Sequence, residues 1–475
     1  MPPHYSSPPH RPTQKRRLSS LAGAFLLLFA FVIPRAYAAP PRQATAQQRV
    51  EAILAGMNTT ELVAQLFMVS LWGPELSEEA VAFLETYNPG GVVLFGDNAV
   101  TPEQITDLTN TLQLTGLRHP DGLPAWIAID QEGGVVTRLP EGFTTFPLSM
   151  AIAGTGDPAY ARAIGQAMAE ELRAIGITMN LAPVADLETN PDNPIIARRS
   201  FGADPELVGE MVAAIVDGMQ SGGVMATAKH FPGHGETTSD SHLSLPMLLL
   251  DRTRIDSVEL IPFEYAIDAN VGAIMAGHLW YPALDPAPES PASLSYPVLS
   301  HLLRQELGFT GLIMTDALDM DAIDVRYGLP QAAVMAIQAG ADLVTPGPHV
   351  GLHTQQAAID AVVVAVNSGL ISQARIVESV RRVLLHKIEY GVLDWTPLDP
   401  AGAEARLNRA AHEAVVADVL AAAVTLVYDN ANYVPLDPAR RTAFIYPATN
   451  PGLAQSCLAY APDLDVVGVS LYPTG

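Results

Sequence analysis

Short apolar, β-branched runs recur through this chain at Gln65 to Ser70, Gly91 to Phe95, Trp126 to Ile129, Thr178 to Leu181, Val224 to Ala228, Ala273 to Ala276, Leu312 to Thr315 and Asp342 to Thr345. Between most of them lie stretches of helical periodicity, such as Tyr160 to Ile175, Pro205 to Ser221 and Pro330 to Ala339. Strands that alternate with helices imply an α/β fold with a parallel sheet, because a parallel pair needs a crossover that a helix supplies. Eight such strands in about 300 residues fit a closed (β/α)8, TIM-like barrel better than an open doubly wound sheet. No Gly-x-Gly-x-x-Gly follows a strand and no Gly-x-x-x-x-Gly-Lys-Ser/Thr is present, which disfavours a dinucleotide or P-loop fold.

The barrel is expected over 49–393, closed by a helix near Glu378 to Tyr390. A linker follows at 394–402 (Asp-Trp-Thr-Pro-Leu-Asp-Pro-Ala-Gly). The remainder, 403–475, predicts a helix around Glu404 to Ala423 and strands at Val424 to Tyr428, Thr442 to Tyr446 and Asp465 to Ser470, a partial α/β C-terminal domain that is small for an independent unit. Upstream, Met1 to Ser20 carries four basic residues and no acid, and Leu21 to Ile33 is a thirteen-residue uncharged, mostly apolar run before Ala36-Tyr37-Ala38. This predicts a secretory signal peptide over 1–38, a linker over 39–48, and a protein that is exported, periplasmic or extracellular, with no stable membrane anchor after cleavage. A membrane span needs about 20 apolar residues, more than this run holds.

Loss of the first 38 residues removes five basic and no acidic side chains, taking the net charge from −24 to −29. Such a chain repels nucleic acid and anionic lipid. Cys457 is the single cysteine, so no intrachain disulfide forms and stability rests on the core.

The chemistry concentrates in Lys229-His230-Phe231-Pro232-Gly233-His234-Gly235 and Asp240-Ser241-His242. The apolar run before Lys229 places Lys229 and His230 at the carboxyl end of a strand, where barrels gather functional side chains. Asp130, His278 and Asp316 also follow predicted strands. Asp316 alone can be a nucleophile, a metal ligand or a cap for the next helix. Asp240 and His242 are two apart, so an extended loop points both side chains the same way. A carboxylate on one ring nitrogen stabilises the imidazolium formed when the other takes a proton, which makes His242 a candidate acid/base with Asp240 behind it. Asp130-Gln131-Glu132 with Arg138 can grip hydroxyls or form a salt-bridged turn, and Arg199 can add a donor. Asp319 is expected in the first turn of the next helix, facing solvent, and His234 as a loop residue.

Together these segments, with Ile127-Ala128-Ile129-Asp130-Gln131-Glu132-Gly133-Gly134 and Thr315-Asp316-Ala317-Leu318, resemble glycoside hydrolase family 3, in its bacterial β-N-acetylhexosaminidase branch, from about Ala52 to Tyr390. The resemblance implies that Asp316 is the nucleophile, His242 the acid/base and Asp240 its partner. It implies that Asp130, Arg138, Arg199, Lys229 and His230 bind the N-acetylglucosamine unit, without metal or cofactor. Its substrates would be small N-acetylglucosaminides, including muropeptide-like cell-wall fragments and chitin-derived glycosides. The mechanism implied is retaining hydrolysis, with phosphorolysis at the same site as an alternative because a neutral histidine repels an anionic acceptor less than a carboxylate would. Two other classes compete: a zinc hydrolase with His230, His234, His242 and Asp316 as ligands, and a non-catalytic sugar-binding protein.

Overall fold

The computed structural model describes residues 45–425, 443–449, 451–462 and 465–470, which belong to one compact unit, Thr45–Gly475. The expected signal peptide, 1–38, lies outside the described residues, as does the expected linker as far as 44. The rest of that linker is helix instead. Thr45 caps Ala46–Gly56 through the Gln48 N–H, and the Gln48 side chain accepts from Thr45 N in return, which satisfies two backbone donors at the helix start.

Seven strands, β1 (Met68–Ser70), β2 (Gly91–Leu94), β3 (Trp126–Ile129), β4 (Met179–Asn180), β5 (Met225–Phe231), β6 (Ala273–Ala276) and β7 (Leu312–Thr315), pair in chain order. All six pairings are parallel. Alternation along each strand sorts the apolar side chains into two buried layers. Val69, Val92, Leu94, Ile127, Ile129, Ile274 and Ile313 face outward into a core shared with the helices. Their neighbours Met68, Val93, Trp126, Ala128, Met225, Ala273, Leu312 and Met314 form a separate interior cluster. Five methionines, Met68, Met179, Met225, Met275 and Met314, belong to that interior; their unbranched, polarizable side chains fill an irregular space that stiffer residues would leave with voids. The sheet is therefore curled around its own filling, as in a TIM-like domain.

The eighth expected strand, Asp342 to Thr345, is not a ladder. It contributes single bridges, Leu343 to Met314 and Val344 to Phe67, with Val344 N donating to Leu66 O at 2.8 Å and Met68 N donating to Val344 O at 2.9 Å. Leu343 joins the interior cluster and Val344 the outer one, so this segment keeps strand alternation while linking β7 to β1.

The expected linker 394–402 is anchored: Asn110 bonds both the N–H and the carbonyl of Leu398, at 3.0 and 2.8 Å. Beyond it, helix Arg409–Ala422 docks on helix Pro158–Ala174 through buried His412, whose ring nitrogens lie 3.0 Å from Glu171 and Glu170. Of the expected strand 424–428, the first two residues are described and are not strand, and the remainder lies outside the described residues. β8 (Ala443–Pro447) and β9 (Asp465–Val469) pair in parallel. No helix among the described residues is long and apolar enough to cross a membrane.

Helices Pro158–Ala174 and Pro205–Ser221 approach closely at glycines: a Cβ on Gly218 would lie 2.1 Å from Arg162 O, and one on Gly165 2.5 Å from Ile215 O. Alanine would favour the helix by about 1 kcal/mol, yet overpacking costs about 1–3 kcal/mol. Gly218→Ala is expected to lower the melting temperature; a rise would contradict this packing.

Candidate active site

The site begins with an irregularity in β5. Its register against β6 shifts between Lys229 and Phe231. In a regular strand Lys229 and His230 would face opposite sides; a bulge re-aims side chains, and here both line one cavity while Phe231 packs against Phe263 at 5.3 Å between ring centres. Both residues thus sit inside the strand rather than just beyond it.

Lys229 is 2% exposed. Its ammonium donates to Asp130 at 2.6 Å and lies 2.7 Å from Glu132, and Arg199 closes a two-pronged bond onto Glu132 at 2.8 and 2.9 Å. Burial alone would raise the Glu132 carboxyl, but Lys229 and Arg199 outweigh it and hold it down to about 2. Burial likewise works against the charge on Lys229, and Asp130 and Glu132 reverse that effect, so its pKa is raised. Glu132 therefore spends its oxygens on the two cations, while Asp130, with its second oxygen 3.8 Å from Arg138, keeps acceptor capacity for a ligand. Arg138 lies over the Phe95 ring at 6.0 Å, and its buried Nε has no protein acceptor.

Asp186, which the sequence did not single out, organises the next layer. It is buried, accepts from His230 N at 3.1 Å and His234 N at 2.7 Å, and sits 2.7 Å from His230 Nδ1. That fixes the His230 ring with Nε2 left for the cavity. The only sequence sign was a carboxylate among apolar neighbours in Val184-Ala185-Asp186-Leu187. His234 is no passive loop residue: it is 2% exposed, with Nδ1 2.9 Å from Thr237 Oγ1 and Nε2 2.9 Å from Ser241 Oγ. Burial pushes its pKa down to about 4, so the ring is neutral.

Ser241 stands between the two members of the predicted dyad. Asp240 Oδ1 lies 2.7 Å from His242 Nδ1 and also accepts from His242 N at 2.8 Å. This leaves His242 Nε2 for proton exchange. The His242 side chain is 60% exposed, at the rim of the cavity, and its carbonyl accepts from Asp321 N at 3.2 Å.

Asp316 directly follows β7 and lines the same cavity. Its Oδ1 accepts from Ala317 N at 2.7 Å and its own N–H donates to Ala276 O at 3.0 Å. Burial would raise its pKa, but His230, His278, the Ala317 N–H and Lys229 together hold it below the ordinary value. His278, buried, spends one nitrogen on Ser293 and the other on Ala317 O, so it supports the turn after Asp316 rather than facing the ligand. Asp319 departs from expectation: it precedes helix Asp321–Tyr327 and accepts from His349 N at 2.7 Å.

The cavity volume is about 190 Å³. All of Asp130, Arg138, Arg199, Lys229, His230, His242 and Asp316 line it, with Asp240 one bond behind His242. The zinc alternative is poorly served: both nitrogens of His234, and one each of His230 and His242, are committed to other partners. Among the described residues no group of three or more His, Cys, Asp and Glu could hold a metal ion.

Residues 58–385 match the glycosyl hydrolase family 3 N-terminal domain. The chain is 41% identical over 285 residues to β-hexosaminidase A of Pseudoalteromonas piscicida, covering 57% of this chain but only 47% of that protein. It is 39% identical over 283 residues to the β-hexosaminidase of Alkalilimnicola ehrlichii, covering 58% of this chain and 79% of that protein. In structure it is similar to a family 3 β-N-acetylglucosaminidase of a Paenibacillus species, with TM-score 0.76 and 34% identity over 87% of this chain and 85% of that one. The chain belongs to glycosyl hydrolase family 3, a class of enzymes acting on O-glycosyl bonds.

Proposed function

We propose that the protein is an exported, retaining exo-β-N-acetylglucosaminidase that removes terminal N-acetylglucosamine from cell-wall or chitin-derived glycosides. The observation that carries this is one cavity lined by a half-buried carboxylate, Asp316, and by an imidazole, His242, backed by Asp240. The likeness to β-hexosaminidases supports the sugar class. Export is supported by the basic, then apolar, then Ala-Tyr-Ala start of the chain.

In the first step an Asp316 oxygen bonds to the anomeric carbon as the bond to the leaving oxygen breaks, and His242 Nε2 gives that oxygen its proton. His242 enters this step as the imidazolium, which Asp240 stabilises across the Nδ1 bond, and leaves it as the neutral imidazole. In the second step His242 takes a proton from water, whose oxygen attacks the anomeric carbon and releases Asp316 as the free carboxylate. Retention follows from two displacements at the same carbon. The depressed pKa of Asp316 keeps it ionised for the first. Asp130, Arg138, Arg199, Lys229 and His230 hold the sugar, with the ion pairs fixing where their remaining donors and acceptors point.

The decisive assay is nitrophenol release from the β-N-acetylglucosaminide and the β-glucoside, with and without phosphate. Strong preference for the N-acetyl sugar, unchanged by phosphate, is expected; acceleration by phosphate would make the enzyme a phosphorylase. Asp316→Ala should cost on the order of 10⁴-fold or more in kcat. His242→Ala should cost about 10²–10⁴-fold on a poor alcohol leaving group and far less on an activated phenol. Equal losses on both would remove His242 from the acid role.

The same ion pairs make stability pH-dependent. Glu132 titrates near 2 in the fold against an ordinary 4.5, so its contribution is complete above about pH 4.5 and is lost as pH falls through 2. Glu132→Gln should reduce the acid sensitivity of unfolding below pH 4.5, measured by urea denaturation across pH. An unchanged acid profile would contradict the assignment.

A further inference from the structure

A second cavity adjoins the first, sharing Asp130, Arg138, His242 and Asp316 with it and adding Trp72, Asp97, Asp319 and His349. Glu132, Arg199, Lys229 and His230 line only the inner one. His242 must reach the leaving oxygen, and it borders both spaces. The portion of the substrate beyond the scissile bond therefore lies in this outer cavity. From its walls we infer that the leaving-group subsite takes a neutral or cationic sugar and rejects an acidic one. This rests on the hydrolase reading above and narrows its substrates to the chitin-derived class, away from cell-wall fragments whose leaving sugar bears a free carboxylate.

The first wall is Trp72, 55% exposed in the turn after β1. An exposed indole is ordinarily a liability, yet this one stands on a fixed support. The Asn98 amide, itself buried, donates to Leu71 O at 2.9 Å and to Gly73 O at 2.7 Å, gripping the backbone on both sides of Trp72. A rigid, accessible ring face at the mouth of an active site is a platform for the C–H face of a pyranose.

The second wall sets the charge. Asp97 accepts from Gly73 N at 3.4 Å and Asp319 from His349 N at 2.7 Å, so both carboxylates are held by main-chain N–H groups. The loop bearing His349 is built around Asp319: Gly347 has φ +103°, and a Cβ there would fall 1.9 Å from the carboxylate. Burial pushes the Asp319 pKa above its ordinary value, and His349 beside it only partly offsets that effect. Arg138, the one arginine in this cavity, is already engaged by Asp130 and Phe95. A sugar bearing a carboxylate would meet four carboxylates, Asp97, Asp130, Asp316 and Asp319, against one arginine and the imidazoles of His242 and His349, whereas an amino sugar would gain from the acidic excess.

The test compares kcat/KM for three N-acetylglucosaminyl disaccharides whose reducing sugars are N-acetylglucosamine, glucosamine and N-acetylmuramic acid, at low and high salt, alongside the nitrophenyl N-acetylglucosaminide. The neutral and cationic disaccharides should exceed the acidic one by about tenfold or more at low salt, and the gap should narrow at high salt as screening grows. In D97N/D319N, which retains an acceptor oxygen for each main-chain N–H, the gap should shrink several-fold. Trp72→Ala should raise KM for the disaccharides more than for the nitrophenyl glycoside. Equal or better turnover of the acidic disaccharide, or a gap untouched by both salt and D97N/D319N, would overturn the subsite alone. No turnover of the nitrophenyl N-acetylglucosaminide would overturn the hydrolase reading and the subsite with it.

Discussion

The ammonium of Lys229 is the point on which the site depends. Almost dehydrated, it is shared between Asp130 and Glu132, and Glu132 in turn is shared with Arg199. An isolated buried charge costs several kcal/mol, and removing one member of a buried pair typically costs about 3–5 kcal/mol. The alternating row Arg199, Glu132, Lys229, Asp130 avoids that cost only while every member is in place. Its members come from the segment after β3, the segment between β4 and β5, and β5 itself. Charge balance therefore aligns three distant parts of the chain around one cavity.

Beneath that row lies the apolar interior cluster, and its methionines adapt to a curled sheet whose last segment contributes only single bridges. The transition from this filling to the polar layer occurs along β5, where Met225 belongs to the interior and Lys229 to the cavity. The register shift there puts consecutive polar side chains on one side, a density of function that regular alternation forbids. Around it, Asp186 and His234 connect the stiff end of β5 to the exposed loop of Asp240 and His242. The half-buried Asp316 and the exposed His242, proposed as nucleophile and acid/base, thus reach one cavity from different elements.

Much of this was legible in the sequence. β3, β6 and β7 fall where their apolar runs predict, and helix Pro205–Ser221 matches its period from end to end. The site residues were legible because chemistry-bearing side chains follow strands, and a parallel curled sheet brings strand ends together. What escaped notice depends on contacts made at long range. Asp186 follows a strand of only two residues and has meaning only beside His230, 44 positions away. Glu132 looked like a hydroxyl-gripping acid because its two cations are supplied by residues 67 and 97 positions on. The eighth strand was overcalled because apolar alternation reports burial, which Leu343 and Val344 have, and not the ladder, which they lack. His234 looked dispensable between glycines until Ser241 and Thr237 were found against its ring.

The central claim is that Asp316 forms a covalent bond to the sugar. A fluorinated N-acetylglucosaminyl donor with a good leaving group, which forms the intermediate faster than water releases it, should add one sugar mass to the protein. Peptide mapping should place that mass on Asp316. A label on another residue, or turnover that yields the inverted anomer with no labelled species, would contradict the account.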